Sequence, residues 1–127
     1  MSTDRFLGGV ENIDGSFVAG SDLSGGDAVA ISGDNEVDHV SSNGDEATGV
    51  VMYDVSEGDP VAVARVGAKA RVNAASNAGP GLVAAQTDGT VDDLADDQKA
   101  IGELDEAESG GDAPLMVNPS GGEVSGA

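Results

Sequence analysis

The sequence predicts an all-β protein, a small β-barrel or sandwich built from two pseudo-repeats, with an extended N-terminal arm. Three observations predict it. The apolar residues fall in short runs rich in Val and Ala, separated by Gly, Asp and Asn. Helical periodicity is weak along the whole chain. The chain also resembles itself at a spacing of about 53 residues, with Gly49 recurring as Gly102 and Val37 as Val91.

The strand-like runs, in order, are Ala28-Val29-Ala30-Ile31, Gly49-Val50-Val51-Met52-Tyr53, the segment Val61 to Val66, Ala70-Arg71-Val72, the segment Gly81 to Ala85, the segment Ala100 to Leu104, and Pro114-Leu115-Met116-Val117. Turn chemistry separates them: Gly33-Asp34-Asn35, Asn43-Gly44, Glu57-Gly58-Asp59-Pro60, Asp88-Gly89 and Gly110-Gly111-Asp112. Short strands joined by tight turns favour a barrel or sandwich. The one fair helix candidate is Asp92 to Lys99, which is short and acidic. The pattern divides the chain into an arm (1–21), a β domain (22–118, with pseudo-repeats of about 22–72 and 73–118) and a loose Gly/Ser-rich tail (119–127).

The arm holds both phenylalanines, with Phe6, Leu7, Val10, Ile13 and Phe17 its apolar residues. A large aromatic normally belongs in a core. Two readings follow. Either Phe6, Leu7, Val10 and Phe17 contact a partner from an extended arm, or the segment is a further strand that packs Phe17 inward.

Composition sets the functional bounds. There are 24 acidic and 5 basic residues, a formal net charge of -19. Such an excess belongs either to a disordered chain or to a protein adapted to molar salt, where screening shortens the reach of self-repulsion to about 3 Å. The ordered β-branched runs favour the second. An acidic surface repels nucleic acid. The absence of cysteine removes disulfides and thiolate sites. No apolar stretch approaches the ~20 residues of a membrane-spanning helix, and the N-terminus lacks a signal-peptide core.

No motif points to catalysis or a cofactor, and no metal site is expected. His39 is the only histidine, and its setting between Asp38 and Val40 reads as a surface position. Gly79-Pro80-Gly81-Leu82-Val83-Ala84 matches a dinucleotide-binding glycine pattern but lacks the βαβ context that gives the pattern meaning. The carboxylate clusters lack the spacing of a calcium loop. The basic residues are more informative: Arg65, Lys69 and Arg71 lie within seven positions. On an extended strand they share one face. They form either a docking stripe for an acidic shell or a sister subunit, or a set of internal ion pairs with neighbouring Asp.

The turn and strand pattern, with Ala47-Thr48-Gly49-Val50-Val51, Ser56-Glu57-Gly58-Asp59-Pro60-Val61-Ala62-Val63 and the counterparts Gly81-Leu82-Val83, Ala100-Ile101-Gly102 and Leu115-Met116-Val117, resembles the capsid decoration or cement proteins of tailed viruses over residues 22 to 118. The acidic surface departs from the usual member and suits a virus of a salt-accumulating archaeal host. The resemblance implies a non-enzymatic virion protein on the outer capsid surface, passing through the host cytoplasm during assembly. It implies the major capsid protein and further copies of itself as partners, often as a homotrimer, with neither nucleic acid nor membrane. The alternative is a halophilic, non-enzymatic β-barrel binding module of cellular origin.

Overall fold

The computed structural model describes residues 6–8 and 13–119. It is all-β, without a helix among the described residues. The strands are β1 (Phe6–Gly8), β2 (Ile13–Ala19), β3 (Ala28–Gly33), β4 (Glu36–Asp38), β5 (Gly49–Val51), β6 (Pro60–Ala64), β7 (Lys69–Asn73), β8 (Gly81–Ala85), β9 (Val91–Asp93), β10 (Ala100–Leu104) and β11 (Asp112–Val117). Strands β2 to β6 close a barrel in the order β2-β4-β3-β5-β6, and the rest form a six-stranded sheet, β1-β7-β11-β10-β8-β9.

Apart from β1, which has no counterpart in the barrel, the two sheets correspond strand for strand. β3 pairs with β4 and β5, and β5 with β6; β8 pairs in the same way with β9 and β10, and β10 with β11. β2 lies on β6 as β7 lies on β11. Closure differs in degree. In the first unit β2 and β4 run parallel over Val18–Glu36 and Ala19–Val37. In the second, the parallel bridge Ala74–Val91 joins the end of β7 to β9. Matching backbone bonds reinforce both seams, Gly20 N–H to the Val37 carbonyl at 2.8 Å and Ala75 N–H to the Val91 carbonyl at 2.9 Å.

The recurring glycines have one physical cause. A Cβ on Gly49 would lie 2.1 Å from the Ala64 carbonyl oxygen, and one on Gly102 would lie 2.0 Å from that of Met116. At both places the fourth strand of a unit and the strand that follows it approach too closely for any side chain.

Three expectations need correction. The break between units falls at the turn Arg65–Ala68, closed by the Ala68 N–H to Arg65 carbonyl bond at 3.0 Å; β7 therefore opens the second unit instead of ending the first. Within the expected arm, Ile13–Ala19 is an integral barrel strand between β6 and β4. A bulge between Asp14 and Phe17 interrupts its alternation, which hides it in the sequence. The acidic helix over 92–99 is absent. Asp92 and Asp93 end β9, and Asp97 takes φ +67°, a left-handed conformation incompatible with a continuing α-helix.

Phe17, Leu23, Val29, Val37, Val51, Val61 and Val63 fill the first barrel. A second cluster is continuous across the junction. It joins Ala28, Val50, Met52 and Ala64 of the first unit to Val72, Val83, Val91, Ile101, Leu104 and Leu115 of the second. Strand β5 is consequently buried on both faces, which explains why Gly49-Val50-Val51 reads as an unbroken apolar run.

Backbone bonds also cross the junction. Ala28 N–H donates to the Gly89 carbonyl at 2.7 Å, Asn73 N–H to Gly26 at 2.8 Å, Gly44 N–H to Ala85 at 2.8 Å and Lys99 N–H to Gly44 at 2.9 Å. Shared core and shared hydrogen bonds make the two units one cooperative body.

Candidate functional site

The structure takes the second reading of Phe17. It is 5% exposed and belongs to the core of the first barrel, so it is no surface contact. A barrel this poor in aromatics has few side chains large enough to fill its centre. Phe6 and Leu7 lie in β1, which pairs with β7 and brings the N-terminal segment alongside Lys69 and Ala70. Val10 lies outside the described residues.

The basic cluster is resolved into ion pairs. Arg65 sits after β6 and binds Asp14 of β2 at 3.2 Å, with its guanidinium 5.5 Å from the centre of the Phe17 ring. Lys69 pairs with Asp105. Arg71 pairs with Asp112 of the adjoining β11 at 3.1 Å. The strand argument holds for two of the three: Lys69 and Arg71 share the outer face of β7, while Ala70 and Val72 enter the core. Arg65 belongs to the turn instead. All three side chains stay about two-fifths exposed, so each pair is worth about 0–1 kcal/mol.

Asp14 also accepts hydrogen bonds from the Ser16 hydroxyl at 2.6 Å and the Ser16 amide at 2.9 Å. These bonds, with a smaller contribution from Arg65, hold its carboxyl below the ordinary value of 3.8. In the β8–β9 turn, the hydroxyl and amide of Thr90 act likewise on Asp88. Both carboxyls are easier to ionise folded than unfolded, so their contribution is present above pH 3.8 and is lost as pH falls through their lowered folded values. Urea midpoints of Asp14→Asn and Asp88→Asn, measured between pH 5 and pH 2.5, are expected to fall less steeply with acid than the wild type's. Parallel curves would contradict the assignment.

Sequence reasoning missed the polar centre of the molecule. Asp27, 6% exposed, stands at the start of β3 where the two units meet. Its Oδ2 accepts from the Ser24 amide at 2.9 Å and lies 2.8 Å from His39 Nε2. Its Oδ1 accepts from the Asn73 amide group at 3.0 Å, and that same group donates to the Gly25 carbonyl at 3.1 Å. His39 is thus a structural partner rather than a free surface residue, and its Nε2 is committed to Asp27. The available signal was Asp27 itself, a carboxylate directly ahead of an apolar run. Asn73 carried none, because nothing local links it to a residue 46 positions earlier.

Two open grooves are present, one on the first unit and one that also takes in Lys99 of the second. One is lined by Asp22, Tyr53, Asp54 and Asp59, the other by Ile31, His39, Ser41 and Lys99. No group of three or more metal-type ligands occurs among the described residues. What remains is surface: acidic nearly everywhere, with Val18, Ile31, Val66, Leu82 and Met116 its exposed large apolar side chains among the described residues.

No protein family matches the chain, and no curated protein does either. A solved structure does. The N base of head fiber gp8.5 of bacteriophage phi29 superposes with a TM-score of 0.63 at 20% identity, over 80% of this chain and 90% of that one. The likeness spans both units, so the paired architecture is shared along with the β content.

Proposed function

We propose that the protein is a non-enzymatic structural component of a virion, binding the outside of the capsid shell of a tailed virus and stabilising it. The observation that carries the reading is the fold shared with the head fiber base over most of both chains. Its surface suits the role. It offers strands and paired charges on a rigid two-unit body, and many modest contacts repeated over a shell add up to firm attachment. The mechanism is added binding energy between capsid subunits, without bond chemistry.

The test is co-sedimentation of the purified protein with empty expanded heads of the virus whose genome carries its gene. Saturable, stoichiometric binding and a raised melting temperature of the heads are expected. Protein that stays in the supernatant at every ratio would leave the cellular binding module as the better account.

The reading includes a salt-adapted host, supported by the net charge of -19. Raising KCl from about 0.01 M to 1 M shortens the Debye length from about 30 Å to about 3 Å and removes most self-repulsion. The melting temperature is expected to rise by more than ten degrees (about 4–8 °C per kcal/mol for a small domain). A flat response would remove the halophilic part of the proposal.

A further inference from the structure

Register across the second sheet places five residues in one row. Leu82 stands opposite Glu103, Glu103 opposite Met116, Met116 opposite Lys69, and Lys69 opposite Gly8. Directly opposed residues of neighbouring strands point to the same face. At a strand spacing of about 4.8 Å the row runs about 19 Å across the outside of the sheet. Leu82 is 45% exposed and Met116 38%. Val66, 57% exposed, stands in the adjoining turn, whose Gly67 amide donates to the Val117 carbonyl at the end of β11.

The row is complementary to itself. Turned by half a revolution about Met116, it sets Met116 against Met116 of the second copy. Glu103 then faces Lys69 of that copy, and Lys69 faces its Glu103. At the ends Leu82 meets Gly8, which has no side chain to obstruct it. Apolar centre, opposite charges on either side and space at the ends are what an isologous contact requires, since one patch must fit itself.

Charge points to the same face. Two copies of a chain with net charge -19 repel almost everywhere. Here Lys69 and Arg71 stand on the outer face of β7 beside the exposed Met116, with Asp105 and Asp112 already partnered. An acidic molecule that associates with itself does so with least penalty where its own cations gather. The Lys69 ammonium has three donors, enough to keep Asp105 and accept a second carboxylate.

We propose that this face is a twofold contact between two copies of the chain, centred on Met116 and flanked by reciprocal Glu103–Lys69 pairs. The inference does not depend on attachment to a capsid. It also departs from the threefold ring that the sequence resemblance implies, because a ring uses two different patches and leaves this pairing unmade.

The test uses the full chain. Because it contains no cysteine, Met116→Cys supplies its only thiol, and Val18→Cys provides an equally exposed control on the first barrel. Under mild oxidant, Met116→Cys is expected to form covalent dimers at least tenfold faster than Val18→Cys. In sedimentation equilibrium the wild type is expected to behave as a dimer. Lys69→Glu and Glu103→Lys are each expected to weaken association at least tenfold, and the double exchange Lys69→Glu/Glu103→Lys to restore it. A trimer mass, a monomer at all concentrations, equal cross-linking at the two positions, or failure of the double exchange to restore association would each overturn the proposal. Failure of head binding with dimerisation intact would count against the capsid reading alone.

Discussion

Gly102→Ala is expected to destabilise the protein by about 3 kcal/mol or more, and Gly49→Ala by a similar amount, enough to unfold much of a marginally stable domain. The added methyl would sit 2.0 Å from the Met116 carbonyl oxygen in the first case and 2.1 Å from that of Ala64 in the second. The obstacle is backbone within a paired sheet, not the movable end of a side chain. Relief requires β10 to part from β11, or β5 from β6, and both pairs are buried in the shared core. Gly15→Ala is the control. A Cβ there meets nothing within 4 Å, and a change within about 0.5 kcal/mol is expected. Urea denaturation of the three variants decides the matter. Equal stabilities would mean that the recurrence of Gly49 as Gly102 has no packing cause.

Asp27→Ala is the second large effect, expected at about 3–5 kcal/mol. The carboxylate answers the Ser24 amide, the Asn73 side-chain amide and His39 at once, and removal leaves donors at a buried junction without an acceptor. A buried donor without a partner costs about 1–3 kcal/mol. Asp27→Asn keeps the shape and one acceptor, so a smaller loss is expected. The position of the damage is as diagnostic as its size. Ala28 N–H to Gly89 and Asn73 N–H to Gly26 are backbone bonds that cross the junction beside the lost group. Hydrogen exchange at Ala28 and Asn73 is expected to accelerate more than exchange inside the first barrel, for example at Val63. Uniform acceleration would show that Asp27 contributes to global stability without joining the two units in particular.

These effects show which parts of the molecule the sequence displays. The turns were readable because their chemistry is local. Gly44, Gly58, Gly89, Gly110 and Gly111 all take positive φ at or beside the places where turn residues predict breaks. The main strands of both units were readable from β-branched runs, and the doubled pattern from the recurrence of Gly49 as Gly102. Strand β2 was not, because its bulge spoils the alternation and its small polar residues Asp14, Gly15 and Ser16 resemble a linker. The very short strands β4 and β9 carry too few residues to show a period.

The candidate contact residues divide in the same way. That Lys69 and Arg71 share a face follows from the two-residue period of a strand and needs no tertiary information. That each is answered by a carboxylate 36 and 41 positions away does need it. Phe17 could be assigned to a core or to a partner with equal logic until β2 was seen to close the first barrel around it.

What the sequence by itself determined is the all-β character, the placing of turns, the doubled pattern and the acidic surface, since each follows from side-chain chemistry within a few residues. Only the tertiary structure decided where one unit ends and the next begins, which strand encloses Phe17, which carboxylate answers each cation, and that Asp27, His39 and Asn73 meet at the junction. Those outcomes depend on strand pairing and on surfaces buried between segments far apart in the chain, and such long-range packing leaves no periodic trace in the residues that take part.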